Sequence, residues 1–76
     1  MEKIDGILQE LRPELDYHAS KNFIEDGLLD SFDLVSLIYE LETHFNISID
    51  ALDIIPENFV SAQSIAELVK KNGGVL

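Results

Sequence analysis

Ser31 stands between Asp30 and Asp33 in the stretch Asp26-Gly27-Leu28-Leu29-Asp30-Ser31-Phe32-Asp33-Leu34. Here turn-forming residues give way to an amphipathic repeat. Asp30 is a good helix N-cap, and Asp33 three residues later completes an acidic variant of the capping box, so a helix is expected to start at Ser31. A hydroxyl on a first helical turn is exposed, and the unpaired backbone N–H groups there favour an anion. The chemistry this permits is a phosphodiester on Ser31, built by another enzyme. The sequence offers no base beside the hydroxyl to activate it.

Catalysis by the chain itself is the competing chemistry. Ser31, His18 and His44 supply the residue types of a serine hydrolase, but Ser31 lacks the flanking glycines of a nucleophile elbow. His44 lies 13 residues further along the same predicted helix, about 20 Å away. The two histidines match no zinc spacing. Glu25, Asp26, Asp30 and Asp33 do not follow the order of a calcium loop, which needs a central glycine and a late bidentate glutamate. No enzyme and no dedicated metal site are expected.

The elements that must carry Ser31 follow from periodicity. Ile4, Ile7, Leu8, Leu11 and Leu15 mark an amphipathic first helix. Pro13 should break or kink it near Arg12, with Leu15 still packing inward. A long loop from about Asp16 to Asp30 follows, with Phe23, Ile24, Leu28 and Leu29 as its expected anchors and Gly27 at a sharp turn. The second helix is expected to run from Ser31 to near Asn46. Leu34, Leu37, Ile38, Leu41 and Phe45 form its core stripe, Asp33, Ser36, Glu40 and Thr43 its polar face, and Val35, Tyr39 and Glu42 its flank. Ile47-Ser48-Ile49 alternates like a strand but has no partner and reads as extended loop. Pro56-Glu57-Asn58-Phe59 is a short helical piece. The last helix starts after Ser61, buries Ile65, Leu68 and Val69, carries Lys70 and Lys71 at its end, and stops at Gly73-Gly74. The fold class is therefore all-α, a small four-helix bundle of three principal helices and one short one. Residues 1–72 form the domain and residues 73–76 a frayed tail.

With 76 residues, 46% of them hydrophobic, and no cysteine, helix packing alone must hold the fold, and a deep enzyme cleft is not expected. The N-terminus has no signal-peptide pattern and no stretch approaches a membrane span, so the expectation is a cytoplasmic monomer without membrane insertion. The net charge is −10. It is unevenly distributed: between Lys21 and Lys70 there are carboxylates but no lysine or arginine. Such a field repels nucleic acid and steers basic protein surfaces toward the chain. A surface acidic for solubility alone is the competing reading, but these acids bracket Ser31. Phe32 and Tyr39, beside Ser31 on the outer flank, are candidate partner contacts.

These residues resemble the acyl carrier proteins, within the phosphopantetheine-binding carrier family that also includes peptidyl and D-alanyl carrier proteins. The resemblance extends from Ile4 to Lys71. Its core is Gly27-Leu28-Leu29-Asp30-Ser31-Phe32-Asp33, in which the family's Asp-Ser-Leu becomes Asp-Ser-Phe, and further matches are Leu41-Glu42-Thr43-His44-Phe45, Pro56-Glu57-Asn58-Phe59 and the helix after Ser61. It implies that Ser31 receives a 4′-phosphopantetheine arm from coenzyme A. A Mg²⁺-dependent phosphopantetheinyl transferase of the holo-acyl-carrier-synthase type would install it, and the arm's thiol would then carry an acyl group as a thioester in fatty-acid, lipid or secondary-metabolite synthesis. It also implies that Asp30 and Asp33 meet basic residues on the transferase and on acyltransferases, synthases or ligases, with Phe32, Val35, Tyr39 and Glu42 on the partner-facing flank. Two departures stand out. Ser36 and Thr43 occupy positions where fatty-acid carriers often have glutamates, and phenylalanine after the serine is also found in D-alanyl carriers. An aminoacyl carrier loaded by an adenylating ligase is thus the nearest alternative, and an unmodified acidic helical adaptor the alternative of another class.

Overall fold

The computed structural model describes residues 2–14 and 21–75. Helix α1 spans Glu2–Leu11, α2 Ser31–Phe45 and α3 Ala62–Lys71. Two 3₁₀ turns, Ala51–Asp53 and Pro56–Phe59, lie between α2 and α3, and no strand occurs among the described residues. The fold is small and all-helical. Ile47-Ser48-Ile49 is loop and not strand.

Helix α1 ends because Pro13 disfavours helical geometry at Arg12, and the last helical bond runs from the Arg12 amide to the Leu8 carbonyl at 3.0 Å. Ile4, Ile7 and Leu8 of α1 are buried, and Leu11 packs partly against the same core. The expected inward packing of Leu15 and the loop residues 16–20, with His18, lie outside the described residues. Helix α1 packs on both α2 and α3, and α3 also packs on the Pro56–Phe59 turn. Leu37 and Leu41 from α2, Phe59 from that turn, and Ile65 and Val69 from α3 are fully enclosed between them.

Helix α2 differs from its expected faces at one position. Leu37, Leu41 and Phe45 are buried and Leu34 and Ile38 pack partly against them, but Asp33, read as part of the polar face, is only 5% exposed. Asp33 continues the four-residue spacing of Leu37, Leu41 and Phe45, so geometry carries it inward. Burying a carboxylate is costly unless it is paired, and Arg12 supplies the pair.

The ends of the helices are built locally. Asn46 takes the left-handed conformation (φ 53°) that closes α2, with its amide donating to the Glu42 carbonyl. Ser61 caps α3 by accepting the Ser64 amide at 3.1 Å. Beyond α3, Gly73 (φ 91°) turns the chain, and the amides of Gly73 and Gly74 donate to the carbonyls of Lys70 and Val69. Leu76 lies outside the described residues.

Candidate functional site

The residues leading into Ser31 form a tethered turn. Phe23 is buried; its amide donates to the Val60 carbonyl at 2.7 Å, and its own carbonyl accepts the amides of Leu28 and Leu29. Asn22 nucleates the turn, its Oδ1 accepting the amides of Ile24 at 3.1 Å and Glu25 at 2.9 Å. Gly27 takes a positive φ of 75°, which a residue with a Cβ adopts only with strain. Leu29 is buried, while Ile24 and Leu28 are half-buried. Phe23 and Leu29 thus pin the two ends of a turn that delivers the chain to Asp30.

Asp30 and Asp33 form the capping box. Asp30 Oδ1 accepts the Asp33 amide at 2.9 Å, and Asp33 Oδ2 accepts the Asp30 amide at 3.3 Å. The bond from the Asp33 amide holds the exposed Asp30 carboxyl below its ordinary pKa, with Asp33 and Arg12 adding to the effect. Arg12 grips Asp33 through both carboxylate oxygens, Nε to Oδ1 at 3.2 Å and Nη2 to Oδ2 at 3.0 Å. That hydrogen bond, with the Asp33 charge, raises the guanidinium pKa further. Ser31 follows the cap as the first residue of α2 and is exposed.

Beside Ser31 an open groove of about 350 Å³ is lined by Ile24, Gly27, Leu29, Asp30, Ser31, Leu34 and Pro56. It is mostly apolar in its residues and has the serine at its edge. Down the outer side of α2, Phe32 is 78% exposed, Val35 70% and Tyr39 66%. These three side chains, at i, i+3 and i+7, form an apolar ridge that starts next to the hydroxyl.

Of the residues expected to face a partner, Asp30, Phe32, Val35 and Tyr39 are exposed. Asp33 is not, for it is occupied by Arg12 and by the cap. Glu42 is half-buried and has an internal task as well, its Oε2 accepting the Ile49 amide at 2.9 Å and fixing the chain after α2. The sequence carried signals for Asp33: it extends the core spacing of α2, and Arg12 is the only lysine or arginine between Lys3 and Lys21.

Two arrangements had no expectation attached to them. Glu10 on α1 and Glu40 and His44 on α2 bring one ligand atom each within 4.8 Å of one another, with His44 Nε2 and Glu40 Oε2 3.1 Å apart as an i,i+4 pair. All three are on the surface or half-buried. Elsewhere, Lys71 Nζ reaches Asp53 Oδ1 at 2.7 Å and Asn72 Oδ1 accepts the Asp50 amide, tying the Ala51–Asp53 turn to the end of α3. That bond to Asp53 raises the Lys71 pKa.

A scan of protein-family models, a search of curated proteins and a search of solved structures each found no match to the chain. No helix among the described residues is long and apolar enough to cross a membrane.

Proposed function

We propose that the chain is an acyl carrier protein, a noncatalytic shuttle that bears acyl groups as thioesters on a 4′-phosphopantetheine arm at Ser31. The observation that carries this reading is the exposed Ser31 at the first position of an N-capped helix, at the edge of an apolar groove. In the transfer, Ser31 Oγ attacks the β-phosphate of coenzyme A, the pyrophosphate linkage breaks, and adenosine 3′,5′-bisphosphate leaves. The hydroxyl proton passes to a base of the transferase, because His44 lies about 20 Å along the helix and the nearby Asp33 is committed to Arg12.

The surroundings of Ser31 suit such an arm. The positive end of the α2 dipole favours its phosphodiester, and Ile24, Leu29, Leu34 and Pro56 offer apolar surface to a flexible chain. In this reading the Pro56–Phe59 turn is the minor fourth helix of the carrier bundle. The protein works as a cytoplasmic monomer, and partners dock over Ser31 along Phe32, Val35 and Tyr39, with Asp30 supplying charge. The direct test is the intact mass after incubation with coenzyme A, Mg²⁺ and a broad-specificity phosphopantetheinyl transferase. A gain of one phosphopantetheine group supports the carrier reading, and no gain favours an unmodified adaptor.

A second reading, an aminoacyl carrier of the D-alanyl type, draws support from a specific observation. The ridge beside Ser31 is aromatic and apolar, with Phe32 at its head, and the withdrawal of Asp33 thins the acidic stripe. Charging of the modified protein separates the two: acyl acceptance from an acyl-carrier synthetase supports the first, and efficient loading by a D-alanine-activating ligase supports the second.

A further inference from the structure

Arg12 is the last residue of the α1 ladder, its amide bonded to Leu8, and it sits 21 residues before Asp33. Its guanidinium meets Asp33 in a two-point fork, which fixes the orientation of the carboxylate as well as its charge. Asp33 Oδ2, the oxygen that receives Arg12 Nη2, is also the oxygen that accepts the Asp30 amide. Asp30 in turn accepts the Asp33 amide. One connected set of bonds therefore runs from the end of α1 through Asp33 to Asp30, and Ser31 lies inside the loop it closes.

We propose that Arg12 is the positioning residue of Ser31: by gripping Asp33 it keeps the capping box closed and holds the first turn of α2 in the geometry that presents the hydroxyl. Removing Arg12 takes the counterion from an Asp33 carboxylate whose side chain is only 7% exposed in the intact pair. Such a charge draws water, and the turn opens to hydrate it, separating Asp33 from the Asp30 amide. Lysine keeps a charge but presents a single point instead of a fork, so it restores the grip only in part. Glu14, 3.7 Å from Arg12 and well exposed, is a weaker second partner and cannot substitute for Asp33.

The inference rests on the carrier reading for its functional consequence, and its test has one arm that does not. Amide hydrogen exchange is compared in the full chain and in Arg12→Gln. Faster exchange is expected at Asp33 and Leu34, whose amides bond to Asp30, with the buried α3 amides Leu68 and Val69 unchanged. Unchanged exchange at Asp33, or an equal rise across the chain, overturns the proposal. In phosphopantetheine transfer, Arg12→Gln should lower kcat on the order of tenfold with KM nearly unchanged, because the Phe32, Val35 and Tyr39 ridge is left intact. Arg12→Lys should recover part of the loss. The double substitution Arg12→Met with Asp33→Asn, which removes the stranded charge, should recover more than Arg12→Gln retains. Lys71→Ala breaks the Asp53 tie on the α3 side and should leave kcat at the wild-type value; an equal fall in Lys71→Ala would mean that general loosening, and not the grip on Asp33, sets the rate. A wild-type chain that takes no arm defeats the carrier reading, and the exchange experiment alone then decides the role of Arg12.

Discussion

Asp30 and Asp33 hold each other's backbone amides, at 2.9 Å in one direction and 3.3 Å in the other, with Ser31 and Phe32 enclosed between them. The two carboxylates nevertheless have different fates, because Asp30 faces solvent and Asp33 is buried against Arg12. Every expectation about recognition at Ser31 has to be divided along that line.

Asp30 makes the first turn of α2 sensitive to acid. Its pKa in the folded chain is lowered, chiefly by the bond from the Asp33 amide, so the ionised form stabilises the fold at pH values above its unfolded pKa of about 4. That stabilisation is lost as pH falls through the lowered folded value. Melting temperatures from pH 7 down to pH 3 should therefore show wild type above Asp30→Asn at neutral pH, with the gap closing at the acid end. A constant gap would contradict the assignment.

Asp33→Asn is expected to destabilise the fold. An exposed acid could be neutralised at no cost, but here the change weakens a two-point pair at a buried position, a loss of about 1–3 kcal/mol. In a chain of this size that corresponds to a fall in melting temperature of about 4–8 °C per kcal/mol. An unchanged melting temperature with weaker transferase binding would return Asp33 to the docking surface.

Much of this architecture was legible in the residues. The start of α2 was, because an N-cap with an acid three residues on is local chemistry written in Asp30 and Asp33. Its end near Asn46, the Pro56–Phe59 turn and the Ser61 cap were legible for the same reason. The burial of Asp33 left a trace only in its four-residue spacing from Leu37, and its pairing left none, since that depends on a guanidinium 21 residues away that only the packing of α1 on α2 brings near. The same holds for Glu42, whose amide partner Ile49 lies past the end of its helix, and for the approach of Glu10 to Glu40 and His44. The Ala51–Asp53 turn is too short to have a period, and its cap, Asp50 Oδ1 accepting the Leu52 amide, is visible only in the fold.

Phe23 and Phe32 offer a contrast in one residue type. Phe23 is 2% exposed and anchors the turn before Ser31, so Phe23→Ala should cost about 3–5 kcal/mol and unfold much of a small domain. Phe32 is 78% exposed, and Phe32→Ala should shift stability by no more than about 0.5 kcal/mol. Its effect should instead be a raised KM for the transferase. Chemical denaturation of both variants, alongside transferase kinetics of Phe32→Ala, checks the pair.

On the carrier reading, the ridge of Phe32, Val35 and Tyr39 should also set the salt response of partner association. With Asp33 paired internally and Glu42 engaged by Ile49, the proposed docking near Ser31 should lean on apolar contact more than the net charge of −10 suggests. Tyr39→Ala should therefore weaken association by a factor that persists at high salt, whereas a charge reversal at the exposed Glu67 should matter only at low ionic strength. A Tyr39→Ala defect that vanishes in salt would count against the ridge.

The central claim is that Ser31 carries the arm. The chain has five other serines, Ser20, Ser36, Ser48, Ser61 and Ser64, and among the described serines only Ser31 follows an N-cap as the first residue of a helix. Wild type and Ser31→Ala, both folded to the same helical content, should be incubated side by side with coenzyme A, Mg²⁺ and a broad-specificity phosphopantetheinyl transferase, and then weighed intact and sequenced by fragmentation. The account predicts one phosphopantetheine group on wild type, located at Ser31, and none on Ser31→Ala. An arm on Ser31→Ala, or on any other serine of the wild type, would contradict it.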